Sequence, residues 1–365
     1  MSQHYLLSAQ ARTLSLATLL TFSDGEARSM FARVRWGSEC EQVCPHCGVV
    51  REHYFRERQD RWRCRDCKEY FSVTSGTVFA NAKLPLQKIL GAIALFTNAV
   101  KGISACQLMR DLDVQYKTAL VLLHKVRESL WLKQDLSKFS GTVEVDGAYV
   151  HTYRRPKNKK AERKDRRLGE NQNPEKCSVL VIRQRGSEDG EGADRSRIVV
   201  IPSENANDIV AAVRANVSPD ATVVTDEANG FTELGLWYDH KVVPHNETYC
   251  TEDGTNQNQS ESFIARFRRL LFGQIHKMKR KYLDVYAYEI AFREDTRRQD
   301  NGSIFTRVLE ACLRARPSRD WSAYWQGNKR LHDSVVSFVE GLPVRRLYVA
   351  PVKASSTGEA AAGSV

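Results

Sequence analysis

The spacing of apolar positions changes character several times along the chain. Residues 1–38 lead in with helical rhythm, clearest in GEARSMFARVRW, which ends at Trp36. Residues 39–80 carry paired cysteines with Tyr54, Phe55, Trp62, Tyr70 and Phe71 between or just after them, a composition that suits short strands. Residues 81–135 return to helical spacing in LPLQKILGAIALFTNAV, SACQLMRDL and YKTALVLLHKVRESLWL. From 140 to 300 the two periods alternate. TVEVDGAYV, SVLVIRQR and RIVVIPS read as strands, the last two parted by the turn-like GSEDGEGADRS. NANDIVAAVRANV reads as a helix, with Ser203 or Asn205 as its cap. ATVVTDEANGF and HKVVPHN are further strands, and SESFIARFRRLLFGQ and KYLDVYAYEIAFRED are helices. Strands and helices in this order predict an α/β domain. Residues 301–350 are expected to form a helical C-terminal extension, and PVKASSTGEAAAGSV (351–365) has the small-residue composition of a disordered tail. No internal repeat is visible.

Within 81–135, GISACQLMRDLDVQYKTALVLLHKVRESL has the form helix, short turn, helix. Ile103, Leu108, Leu112, Val114, Ala119, Leu122 and Val126 are spaced to form the inner faces, and Asp113 falls in the turn. The second helix opens with Gln115, Tyr116, Lys117 and Thr118, where a recognition helix meets base edges. Lys125 and Arg127 follow as candidate phosphate contacts. A plain helical hairpin has the same pattern, so the neighbouring segments must choose between the two.

The cysteines change the picture most. Cys44/Cys47 and Cys64/Cys67 are two C-x2-C pairs, and the spacing between them matches a four-thiolate zinc ribbon. Two intervening residues let a tight turn aim both sulfurs at one ion, and two such knuckles complete a tetrahedron. A closed tetrahedron has no position for substrate, so the zinc is expected to be structural. Gly48 suits the first turn; His46 and Cys40 are nearby but not needed. The remaining cysteines are scattered, which argues against a disulfide framework and for a reducing compartment.

The net charge of +11 points to a polyanionic partner, nucleic acid first. Hydrophobic residues at 42% suffice for a core, while no run approaches the ~18 apolar residues of a membrane span. The N-terminus has no basic n-region or cleavage pattern, so the expected location is the cytoplasm.

Three acidic positions fit a catalytic site. Asp146 lies mid-strand in VEVDGAYV, where a buried charge is costly unless a partner or metal relieves it. Asp226 ends the strand of VVTDEANGF, the usual edge for an α/β site. Glu261 lies early in the helix SESFIARFRRLLFG. Two aspartates on adjacent strands and an acid from a packing helix suit a pair of Mg²⁺ or Mn²⁺ ions, which activate a water or 3′-hydroxyl and stabilise the leaving oxygen.

Taken together, RW before CPHCG, WRCRDCKEYFSVTSGTVFANAKLPL, the helix–turn–helix segment, VEVDGAYV, VVTDEANGF, NQSESFIARFRRLLFGQIHKM and YLDVYAYEIAFRED resemble the bacterial insertion-sequence transposases of the DDE type that begin with a zinc ribbon. The resemblance covers roughly residues 20–300. It implies an RNase H-like catalytic domain at 140–300, behind a lead-in at 1–38, a zinc ribbon at 39–80 and a DNA-binding helix–turn–helix region at 81–135. By resemblance Asp146 and Asp226 take the first two acid positions. The third is Glu261 or, since some members carry Asn, Asn258 one turn earlier on the same face. Arg268 stands two turns beyond Glu261 where Lys is common, and Ile264 replaces the usual aromatic. Arg268, Lys277, Lys279, Arg280 and the run RRPKNKKAERKDRR are candidate DNA contacts, and His245 stands near where Asp226 opens. The implied activity is binding of terminal inverted repeats, cleavage and joining to target DNA, by a homodimer or higher multimer. A DNA-binding regulator with a decayed catalytic domain, and a nuclease of the same fold, are the alternatives.

Overall fold

The computed structural model describes residues 5–150, 157–165, 168, 171, 176–186, 192–244, 250–252, 254–276, 278–327, 330–339 and 342–347. At the front, α1 (Leu16–Leu20) and α2 (Asp24–Trp36) precede two small antiparallel sheets. Helix α2 begins with a reciprocal cap: Ser23 Oγ accepts from the Glu26 backbone N–H, and Glu26 accepts from the Ser23 N–H at 2.8 Å. The sheets are β1 (Gln42–Val43) with β2 (Val50–Arg51), and β3 (Tyr54–Arg56), β4 (Arg61–Arg63) and β5 (Tyr70–Phe71). Three helices follow: α3 (Leu86–Asn98), α4 (Ala105–Leu112) and α5 (Tyr116–Leu132). Asp113 closes α4 with a left-handed φ of 49°, and its carbonyl accepts from Lys88 Nζ at 3.0 Å. The expected inner-face residues are buried, Val114 only partly.

The second half is a mixed five-stranded sheet in the order β10-β9-β6-β7-β8. These strands are β6 (Thr142–Val150), β7 (Cys177–Arg185), β8 (Ala193–Ile201), β9 (Thr222–Asp226) and β10 (Asp239–Val243). β6, β7 and β8 run antiparallel, while β9 and β10 run parallel to β6. Strand alternation divides the two faces. Val143 and Val145 pack with Ile209, Ala212 and Val213 of α6 (Ala206–Asn216), which Asn205 caps by accepting from the Asp208 N–H at 2.8 Å. Ala148 and Val150 pack on the opposite face with Phe263 and Phe267 of α7 (Asn258–Leu270) and Ala287 and Ile290 of α8 (Leu283–Asp295).

The C-terminal extension differs from expectation in two ways. Among its described residues only α9 (Asn301–Arg314) is a long helix; β11 (His332–Val339) and β12 (Leu342–Leu347) then form a hairpin. Moreover, α9 does not extend away from the molecule. Phe305, Val308, Leu309 and Cys312 enter the same core as Phe31, Trp62, Phe96 and Leu123. Asn301 also pins the N-terminal segment, its Oδ1 accepting from the Thr13 and Leu14 N–H groups, both at 2.9 Å. The front of the chain is therefore completed by a helix that comes after the sheet, a closure between distant segments that local periodicity does not encode. The tail at 351–365 lies outside the described residues.

Candidate functional site

The sheet order sets two aspartates side by side. β6 and β9 pair in parallel as far as Glu144 opposite Val224, so continuing that register two residues sets Asp146 opposite Asp226. Both stand on one face, since each lies two residues beyond a paired position. Beyond Asp226 the β9 ladder stops, and the chain turns away with the Ala228 N–H donating to Asp226 Oδ1 at 3.1 Å. Asp146 stays in its strand and accepts from the Gly147 N–H at 2.7 Å. Burial pushes the Asp146 carboxyl up to about 7 against that backbone bond, and the charges of Asp226, Glu204 and Glu261 push it the same way.

Glu261 and Asn258 lie on the exposed side of α7, whose buried side is Phe263, Ile264, Phe267 and Leu270. They sit one turn apart, with Arg268 two turns further along and also exposed. The fourth acid, Glu204, went unnoticed in the sequence because it lies in a short loop before α6 with no motif around it. It accepts from Ser178 Oγ, and its backbone N–H donates to Tyr149 Oη at 3.2 Å. Burial raises its pKa, opposed by the Ser178 bond and reinforced by Asp226. Gly147 makes room for it: a Cβ there would lie 2.7 Å from Glu204 Oε1.

The cysteines form a tighter cluster. Sγ of Cys44 and Cys67 are 3.7 Å apart, as are those of Cys47 and Cys64. Sulfurs ~2.3 Å from a tetrahedral zinc stand roughly 3.8 Å from one another, so the set fits that ion. Two matching turns present them. The Cys44 N–H donates to Val49 O at 3.0 Å and the Cys64 N–H to Glu69 O at 2.9 Å, while Gly48 and Lys68 take left-handed φ values of 77° and 65°. Among the described residues, these cysteines are the set of three or more metal-ligating side chains whose ligand atoms all lie within 4.8 Å of one another. The carboxylates stand further apart, in an all-oxygen donor set of the kind that suits Mg²⁺ with several retained waters.

Two family models match the chain, an ISXO2-like transposase domain over residues 138–295 and a transposase zinc-ribbon domain over residues 22–70. A relative in Halobacterium salinarum, described as an uncharacterized protein in transposable element ISH50, is 25% identical over 305 residues, covering 80% of this chain and 97% of that protein. Over both matched segments the chain is similar to insertion-sequence transposases. The transposase domain runs from just before β6 to the end of α8 and thus contains all four acids. The zinc-ribbon domain runs from α2 to β5 and contains the four cysteines.

The basic positions divide. Lys117, Arg268 and Lys279 are exposed, with Lys117 in the first turn of α5. Arg127 is not a surface contact: it is 1% exposed, and its Nε donates to Glu289 Oε2 at 2.6 Å. The helical face chosen for phosphate is instead the face that packs on α8. Lys125 is half-buried, and burial lowers its pKa against the pull of Glu128. Arg280 is committed to Asp333 on β11, a partner that the spacing of KMKRKY does not reveal. Lys277, His245 and parts of the run RRPKNKKAERKDRR lie outside the described residues. No helix among the described residues is long and apolar enough to cross a membrane.

Proposed function

We propose that this protein is a transposase that cuts and joins DNA with divalent metal held by Asp146, Asp226 and Glu261, Asn258 standing beside them. The observation that carries the reading is the register of β6 and β9, whose continuation sets Asp146 within β6 opposite Asp226 at the end of β9, with the Glu261 charge reaching Asp146. The order of the sheet, three antiparallel strands followed by two parallel to the first, supports an RNase H-like domain at 140–300. Mg²⁺ or Mn²⁺ there would supply Lewis-acid stabilisation of the attacking and leaving oxygens. In the first step the P–O3′ bond at the element end breaks as water oxygen bonds to phosphorus, and the strand keeps the 3′-hydroxyl. In the second, that hydroxyl attacks a target phosphodiester and a target 3′-oxygen leaves. Asp146, Asp226 and Glu261 would hold the ions, and the proton lost by the attacking water or hydroxyl would pass by way of solvent to the departing 3′-oxygen.

The zinc ribbon at 39–80 and the helix–turn–helix region at 81–135 would bind terminal repeats, with Lys117 at the exposed start of α5 meeting the groove. Arg268 and Lys279, both exposed, would meet backbone phosphates. Pairing of two ends calls for at least a dimer on DNA, and cytoplasmic action follows from the substrate. Incubating the protein with a labelled end fragment and Mg²⁺ tests the whole reading, comparing wild type with Asp146→Asn, Asp226→Asn, Glu261→Gln and Asn258→Ala. Metal-dependent nicking and joining lost in both aspartate variants supports it, and the last two variants name the third ligand. Tight end-binding with no cleavage under any divalent metal overturns it in favour of a DNA-binding regulator.

A further inference from the structure

The strand that carries Asp146 also grips the start of the helix that carries Asn258 and Glu261. Glu144 precedes Asp146 by two residues on the same face of β6 and is fully buried. Its Oε2 accepts from the backbone N–H groups of Gln259 and Ser260, each at 2.9 Å, and its Oε1 accepts from Arg185 Nε at 2.8 Å. First-turn N–H groups have no partner within a helix, and a carboxylate there also meets the positive end of the helix dipole. Further side-chain bonds join β6 and β7 to the start of α7. Gln257, 1% exposed, donates from Nε2 to Val145 O at 2.7 Å. Arg183 Nη1 donates to Gln259 O at 2.6 Å, and Arg185 Nη2 donates to Asn256 Oδ1 at 3.0 Å. A buried carboxylate is tolerated only while its lone pairs are occupied. Sliding α7 along the sheet would therefore strand Glu144.

We infer that Glu144 is a positioning residue that, through the first turn of α7, sets Asn258 and Glu261 against Asp146. The inference rests on the metal-dependent reading above. Groups that must share an ion tolerate little displacement, and residues that orient metal ligands from behind typically contribute roughly 10–100-fold in metal affinity.

The test uses the full-length, zinc-loaded protein. Mn²⁺ binding is measured by calorimetry without DNA, and the Mg²⁺ half-point of end cleavage is measured beside it. Glu144→Gln has one oxygen left for three donors, so both values should weaken about tenfold or more, with most of the wild-type rate returning at saturating metal. Gln257→Met removes no charge, and a shift in the same direction separates displacement of the helix from loss of a nearby negative charge. It also keeps the test alive if Glu144→Gln fails to fold. Wild-type metal affinity in a folded variant of either kind, whatever its melting temperature, overturns the inference alone. A wild-type protein that neither binds Mn²⁺ nor cleaves overturns the metal-dependent reading and takes this inference with it.

Discussion

Arg127 and Glu289 form an ion pair 2.6 Å long between α5 and α8, with both side chains almost wholly out of solvent. Arg293 completes the arrangement, its Nη2 reaching Glu289 Oε1 at 2.7 Å and the Phe96 carbonyl at 2.8 Å. The helices before the sheet are thus locked to a helix that packs on it. Removing one member of a buried pair leaves the other charge uncompensated. Because Arg293 remains, Arg127→Leu should cost about 3 kcal/mol in urea unfolding, at the low end for such pairs. The salt dependence of DNA binding by the folded protein should not change. Unaltered stability with a log–log salt slope shallower by about one would instead make Arg127 a phosphate ligand.

The cysteine geometry predicts a single equivalent of tightly held zinc. Cys64→Ser should lose it, and Co²⁺ exchanged into the wild type should give thiolate charge-transfer absorbance. Removing the ion should also abolish the near-ultraviolet signal from Trp36 and Trp62, whose rings meet edge-on 5.5 Å apart beside the cluster, because such modules fold with their metal. A chelated protein that keeps this signal would show that the aromatic core holds the ribbon unaided.

His124 should make the protein sensitive to mild acid. It is stacked on Trp321 at 4.1 Å, with its Nε2 3.1 Å from Tyr286 Oη. Burial holds its pKa well below the ordinary value, and Arg127 and Arg330 add to the effect. The unfolded chain takes up this proton near pH 6.5 and the folded one does not, so stability is retained above that pH and falls below it. The difference between wild type and His124→Phe should therefore change by about 1.4 kcal/mol per pH unit below pH 6. Parallel stability–pH curves for the two proteins would refute the assignment.

Glu204 should be coupled to Asp146 through charge alone. In metal-free protein, Glu204→Gln should lower the Asp146 titration from about 7, as read by carboxyl carbon NMR. Gly147→Ala should act in the same direction, since its methyl must displace a Glu204 oxygen that lies 2.7 Å away. An Asp146 titration indifferent to both changes would remove Glu204 from the site.

Much of this was legible in the sequence, and the reason differs from part to part. The zinc ligands were legible because two C-x2-C knuckles carry their geometry in the spacing itself. The α/β succession was legible because burial on a strand face and on a helix face leaves different periods. Asp146 stood out because an acid set among Val143, Val145 and Tyr149 in a core strand needs a reason. None of these inferences needs knowledge of how distant segments meet.

The tertiary structure decided what depends on such meetings. Arg127 was expected at a phosphate because helix position alone does not say which face a later helix, α8, will cover. Lys125 and Arg280 were expected at the surface for the same reason, and the packing of α5 and the arrival of Asp333 change both. The return of α9 into the first core, Glu204 beside the aspartate pair and the grip of Glu144 on α7 each join residues far apart in the chain. Up to the end of the sheet-bearing domain, sequence alone determined the kinds of element and the four-cysteine metal site, because those follow from local spacing and residue type; past α9 it missed the hairpin of β11 and β12. Only tertiary structure decided which charges are buried, paired or free, because that depends on contacts that chain order does not encode.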